Sequence, residues 1–156
     1  IINDDDDCIE TFGSELELPA VMTEGICPSG WHIPSDGEWQ IMEISLGMSE
    51  SEASVRGWRG TDEGYQIKST SGWHGNGNGS NSSGFNGLPG GFTQWTHKGQ
   101  ITGYYSSGNI NGYSSWWSSS ESGSNSWERF MTHYNDIVYR YNVIRYNGLS
   151  ARCLRD

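Results

Sequence analysis

Positive charge is scarce in this chain. Nine lysines and arginines stand against nineteen aspartates and glutamates, a formal net charge of −10. Nucleic acid and anionic membrane surfaces both reward basic residues, so neither is the expected main partner. Long apolar runs are missing as well: no stretch of about eighteen apolar residues occurs, and membrane insertion is not expected. The sequence shows neither an initiating Met nor a signal-peptide pattern, which reads as a mature or truncated segment. Cysteine is limited to Cys8, Cys27 and Cys153, with no CxxC pair and no zinc-like spacing.

Familiar catalytic patterns are also absent. Ser118, Ser119, Ser120 and Ser122 invite a nucleophile, yet no Gly-x-Ser-x-Gly elbow surrounds them, so they read as a polar strand end satisfying backbone groups. His32, His74, His97 and His133 are scattered without helical or strand pairing and predict no metal site. Gly75-Asn76-Gly77-Asn78-Gly79 lacks the lysine and following helix of a phosphate loop.

What is present is a single-domain length of 156 residues whose 33% hydrophobic content is unusually rich in rings, 13% of all residues being aromatic. The core must be made of few, large side chains. Residues 1–11 carry Asp4 to Asp7 in a row and read as a solvated, mobile acidic segment. Consecutive aspartates lack the spacing of a calcium loop. Residues 12–156 read as one domain, truncated or complete at its N-terminus. Leu18 to Met22 could form a short helix. Ser35 with Glu38 and Ser49 with Glu52 are capping boxes. The first predicts a helix from about Asp36 to Leu46 with Trp39, Met42 and Leu46 on one face, the second a shorter helix ending near Gly57. The Gly/Asn/Ser-rich stretch from Gly72 to Gly91 has the composition of a linker. The large apolar residues Trp73, Phe85, Leu88, Phe92 and Trp95 argue instead for an ordered loop pinned by side chains. Tyr113 to Ser118, Trp127 to Met131, Ile137 to Arg140 and Leu149 to Leu154 read as strands, with Leu149, Ala151 and Cys153 inward and Ser150 and Arg152 outward. The expectation is an α+β fold: two helices packed on short antiparallel strands with long ordered loops.

Three segments carry a family likeness: Cys27-Pro28-Ser29-Gly30-Trp31-His32-Ile33-Pro34-Ser35-Asp36-Gly37-Glu38-Trp39, Trp116-Trp117-Ser118-Ser119-Ser120-Glu121-Ser122 and Gly148-Leu149-Ser150-Ala151-Arg152-Cys153-Leu154-Arg155-Asp156. Together they resemble the Fibrobacter succinogenes major paralogous domain, a secreted module, from about Phe12 onward. Trp31 to Trp39 is also similar to a segment of the formylglycine-generating enzymes, which implies a C-type-lectin-like fold of that subtype. Those enzymes hold copper through a cysteine pair in the C-terminal part. This chain has only Cys153 there, so that activity is not carried over and no cofactor is expected; structural calcium is left open. The resemblance also implies a Cys27–Cys153 disulfide, closing a long loop and restricting the unfolded chain by roughly 4–5 kcal/mol in the chain-entropy model. Two buried free thiols are the alternative. Cys8 is left without an evident partner.

The same fold is similar to the variable proteins of diversity-generating retroelements, in which adenine-directed mutagenesis rewrites asparagine-type codons near the C-terminus. The corresponding run here, Thr132 to Asn147, contains only residues reachable from such codons and no Lys, Glu, Gln, Met or Trp. An ordinary strand-and-loop segment is the competing reading. Trp127 to Asp156 also holds five arginines against three acids, a local +2 on an acidic chain. It is dense in tyrosine, the residue of recognition surfaces. Glu128, Thr132, His133, Tyr134, Asp136, Ile137, Tyr141, Val143, Ile144 and Tyr146 are therefore the candidate ligand-binding residues. Trp127, Arg129, Val138, Tyr139, Arg140 and Arg152 are assigned to the scaffold. The functional expectation is a non-enzymatic, extracellular or cell-surface ligand-binding and adhesion module with a protein or glycan partner. Its rivals are a self-assembling structural subunit of a surface filament or adhesin assembly and a degenerate formylglycine-type enzyme.

Overall fold

Serine hydroxyls start the first two helices by the same device. The computed structural model describes residues 16–17, 22, 26–94 and 110–156. Within them, helix α1 (Asp36–Ser45) is capped by Ser35 and helix α2 (Glu50–Ala53) by Ser49. Each serine accepts from the backbone N–H three residues on, while Glu38 and Glu52 reach back in closed capping boxes. A third helix, α3 (Glu63–Ile67), has no side-chain cap and was not foreseen, because five residues without a capping signal leave little pattern to read. The segments expected over residues 1–11 and Leu18 to Met22, together with Cys8 and Trp95, lie outside the described residues apart from Met22 itself.

Among the described residues there are eight strands: β1 (Leu16–Glu17), β2 (Trp31–His32), β3 (Gly57–Arg59), β4 (Tyr113–Ser122), β5 (Asn125–Thr132), β6 (Val138–Ile144), β7 (Gly148–Leu149) and β8 (Leu154–Arg155). A four-stranded antiparallel sheet has the order β3-β6-β5-β4. The pairs β1–β7 and β2–β8 tie early residues to late ones. The chain is thus α+β with antiparallel sheets, as the sequence indicates.

Strand alternation gives the main sheet two faces. On the inner face, Trp116, Met131 and Val138 join Trp39, Ile67, Trp73 and Phe85 in the larger apolar core, with Met42 and Leu46 of α1 packed against it. Trp39 is where the helical spacing put it, 2% exposed, its ring 5.1 Å from Phe85. Between α1 and the sheet lies a buried ionic network. The Arg129 guanidinium donates to Asp36 Oδ1 (2.8 Å) and Glu43 Oε1 (2.7 Å). Arg140 donates to both Asp36 oxygens (2.9 and 2.6 Å) and Arg59 to both Glu43 oxygens (3.0 and 2.9 Å). Burial pushes the Asp36 carboxyl up, but the bonds from Arg140 and Arg129 outweigh it and hold it below the ordinary carboxylate range. Each charge has several partners, which is what makes such burial tolerable.

A second cluster of Ile33, Trp117, Leu149 and Cys153 covers one end of the outer face. The Cys27–Cys153 disulfide is formed here across a sequence separation of 126, and the free-thiol alternative falls. The expected single strand from Leu149 to Leu154 is corrected. It is two short strands joined by an irregular stretch, and Arg152 points inward, 4% exposed with its guanidinium 5.4 Å from the Phe85 ring. The segment runs between two cores, so both of its sides are covered and two-residue alternation loses its meaning.

The glycine-rich stretch is ordered over its described residues, with Trp73 and Phe85 buried and Leu88 38% exposed. Its composition has a steric cause at two positions. A Cβ on Gly77 would lie 2.5 Å from the His133 carbonyl oxygen, and one on Gly79 would lie 2.2 Å from that of Tyr65. Only glycine lets this loop lie against its neighbours.

Candidate functional site

The outer face of the main sheet is aromatic where the disulfide cluster does not cover it. Register sets side chains in rows. Trp58, Tyr139, Phe130 and Ser115 lie across β3, β6, β5 and β4, with Tyr141, Glu128 and Trp117 in the next row and Thr132 opposite Tyr113 beyond. The rings touch in sequence. Trp58 is 5.0 Å from Tyr139 and 5.8 Å from Phe130; Phe130 meets Phe92 at 5.6 Å and Tyr113 at 5.9 Å; Tyr139 stacks on Tyr141 at 5.8 Å. His133 and Tyr134 extend the surface from Tyr113 at 5.9 and 6.3 Å. Edge-to-face and offset contacts of this kind rigidify a surface, while Trp58 (41%), Tyr141 (41%) and Tyr134 (64%) remain open to solvent.

Glu128 stands at the border between the open rings and the closed cluster, opposite the exposed Tyr141 on one side and the fully buried Trp117 on the other. Its Oε2 accepts a 2.6 Å hydrogen bond from the Ser115 hydroxyl. Burial pushes its carboxyl up to about 7, against the smaller opposing effects of Ser115 and the Arg129 charge. Burial, then the neighbouring Tyr141 and Glu128, also raise the Tyr139 hydroxyl. At the rim, the Arg56 guanidinium lies 5.9 Å from the Tyr141 ring and 5.0 Å from Trp127.

The ten residues singled out from the sequence do not form one surface. Glu128, Thr132, His133, Tyr134 and Tyr141 gather on the outer face and its rim. Asp136 and Ile137 sit in the β5–β6 turn, Asp136 pairing with Lys68 Nζ at 3.4 Å. Burial lowers the Lys68 ammonium, which donates also to the Thr132 and Asn135 carbonyls. Val143 and Ile144 lie at the other end of β6 and Tyr146 in the turn after it, with Val143 packed against the disulfide cluster. Not every one of the ten meets solvent. Thr132 is 0% exposed and Glu128 8%, although strand alternation puts both on the same face as the 41% exposed Tyr141. The local +2 is not a surface field either: Arg129, Arg140 and Arg152 are buried, as their scaffold assignment requires. Nor are the histidines wholly scattered, since the His74 and His133 rings meet at 5.1 Å where the glycine loop crosses the strand end.

Sequence reasoning missed Trp58, Phe130, Tyr113 and Phe92, and placed Tyr139 in the scaffold. Part of this was readable: Tyr139 and Tyr141, like Glu128 and Phe130, are two residues apart and must share a face. Trp58 and Phe92 come from segments without periodicity, and only the tertiary fold brings them in. The serine run behaves as expected, Ser120 Oγ accepting from the Asp36 backbone N–H at 2.9 Å and so tying β4 to the start of α1.

No curated protein and no solved structure matches this chain. The model of the Fibrobacter succinogenes major domain matches residues 6–155, a span that contains α1, the main sheet and both half-cystines. The chain therefore belongs to the Fibrobacter succinogenes major domain family.

Proposed function

We propose that this domain is a non-enzymatic ligand-binding module of an extracellular or cell-surface protein, and that it binds through the open aromatic half of the outer sheet face. The observation that carries the reading is the ring-to-ring continuity of Trp58, Tyr139, Tyr141, Phe130 and Tyr113 beside a buried carboxyl. A soluble domain seldom leaves such a surface uncovered without a partner for it. The rings are held by contacts with one another, so little ordering entropy remains to oppose binding. The disulfide supports an oxidising compartment. Helices preceding an antiparallel sheet support a C-type-lectin-like reading of the fold, with Tyr134, Tyr141 and Tyr146 as the exposed members of its variable-type segment. The test is a protein and glycan array probed with the domain and with a Trp58→Ala/Tyr141→Ala variant of unchanged melting temperature. Loss of the captured ligand in the variant supports the assignment. Retention of it removes the outer face as the site.

A second reading, assembly with neighbouring chains, is favoured by a cleft of about 310 Å³ beside α1, floored by Trp39, Met42 and Phe85 and flanked by the exposed Ile41. Concentration-dependent association, lost in Ile41→Lys, would support it.

A further inference from the structure

Four acidic residues are buried in the described part of the chain, and three are neutralised in evident ways. Asp36 and Glu43 each meet two guanidinium groups. Glu63 Oε2 accepts the backbone N–H groups of Thr61 (2.7 Å) and Asp62 (3.2 Å). Glu128 differs: among the described residues no cationic group lies within ion-pair distance of it, and the Ser115 hydroxyl is its one strong donor. Arg129, its neighbour in sequence, projects from the opposite face into the α1 network. A buried carboxylate without a counter-charge takes up either a proton or a cation. The groups beside it are of the kind that attract a cation, because aromatic faces present negative potential. Arg56 already rests against Tyr141 at 5.9 Å, so a ring of this surface holds a positive charge at its edge.

We propose that the outer face recognises an organic ammonium group, presented as a lysine side chain on a partner protein, with Trp58 and Tyr139 receiving the alkyl stem and Glu128 supplying the counter-charge. The proposal rests on the ligand-binding reading of this face and names the chemistry that the face selects. An ammonium on a slender stem is selected over a sugar here, because it can replace the proton on Glu128 and pair with the carboxylate, whereas a neutral ligand leaves that proton in place. The formal net charge of −10 adds long-range attraction for a basic partner. Binding also displaces the proton that burial favours on Glu128, so affinity falls as the medium becomes more acid. The other groups facing this carboxyl are Ser115 and Trp117 of β4 and Tyr139 and Tyr141 of β6. Arg56 stands at the rim on the β3 side and His133 next to Tyr113.

The experiment is a titration of the intact domain with Nα-acetyl-lysine N-methylamide, followed at the Trp58 indole N–H resonance. The norleucine analogue, which has a similar stem and no charge, is the control. The lysine probe is expected to shift the Trp58 signal while norleucine does not. Its Kd is expected to rise about tenfold from pH 8 to pH 6, as a carboxyl titrating near 7 passes from mostly ionised to mostly neutral. Glu128→Gln keeps an acceptor for Ser115 and is expected to weaken binding about tenfold at pH 8 and to flatten the pH profile. His133→Asn should leave the profile in place. Equal binding of norleucine, an unchanged Kd in Glu128→Gln, a pH profile that follows His133, or no response to the lysine probe overturns the proposal. An array ligand that lacks an amine yet is lost in Trp58→Ala would overturn the ammonium inference and leave the binding face standing.

Discussion

Replacing Glu43 with Gln is expected to cost more stability than removing Arg129, and the order follows from the charges in the buried network. Asp36 and Glu43 face Arg59, Arg129 and Arg140, so the cluster holds one positive charge in excess. Arg59 registers this: burial pulls its guanidinium down, Glu43 pulls it back up, and the charges of Arg129 and Arg140 lower it again. In Arg129→Met the cluster becomes neutral. Asp36 keeps both bonds from Arg140 and Glu43 both bonds from Arg59, while the methionine stem fills the space beside Trp39, over which the Arg129 guanidinium lies at 5.6 Å. The cost should stand near the bottom of the range for breaking a buried pair, about 3 kcal/mol. In Glu43→Gln three buried guanidinium groups share one carboxylate, and the cost should stand near its top, about 5 kcal/mol. Urea unfolding without reductant, followed by tryptophan fluorescence and far-ultraviolet circular dichroism with coincident transitions, measures both. A larger loss in Arg129→Met, or two losses below about 1 kcal/mol, would refute the charge argument.

Trp39→Ala should cost about 3–5 kcal/mol, since it opens a cavity between Phe85 and Met42; a loss under about 1 kcal/mol would mean that the helix repacks freely. Cys27→Ser/Cys153→Ser should lose roughly 4–5 kcal/mol in the chain-entropy model, measured against the oxidised protein by the same denaturation. Glu128 binds its proton more readily when folded, so its contribution is complete below the ordinary glutamate range and is lost as pH rises through about 7. Measured against Glu128→Gln, the unliganded protein should therefore lose up to about 3 kcal/mol between about pH 4 and pH 8, and a flat difference would contradict the raised carboxyl. Asp36 has the opposite sign: its contribution is present above the ordinary aspartate range and disappears in acid, where Asp36→Asn should converge on the native protein. Asparagine at Tyr134, Tyr141 and Tyr146 should change stability by within about 0.5 kcal/mol each, whereas at the buried Thr132 and the packed Val143 it should cost clearly more, as thermal melts of the single variants will show.

The sequence by itself determined what depends on neighbours along the chain. Ser35 and Glu38 mark the start of α1 because a capping box closes within four residues. The spacing of Trp39, Met42 and Leu46 marks its buried face because helical geometry needs no partner to define it. The half-cystines were legible through the segments that carry the family likeness. The binding face was half legible, since alternation places Tyr139 with Tyr141 and Glu128 with Phe130 but does not say which face stays open. Tertiary structure alone decided that. It laid α1 on one side of the sheet and the disulfide cluster over one end of the other, so that Arg129 became core while Glu128, one residue away, was left at the edge of an aromatic surface. It also brought Trp58 and Phe92 from distant segments into ring contact with Phe130, a proximity that no local pattern encodes because the contact exists only once the strands have paired.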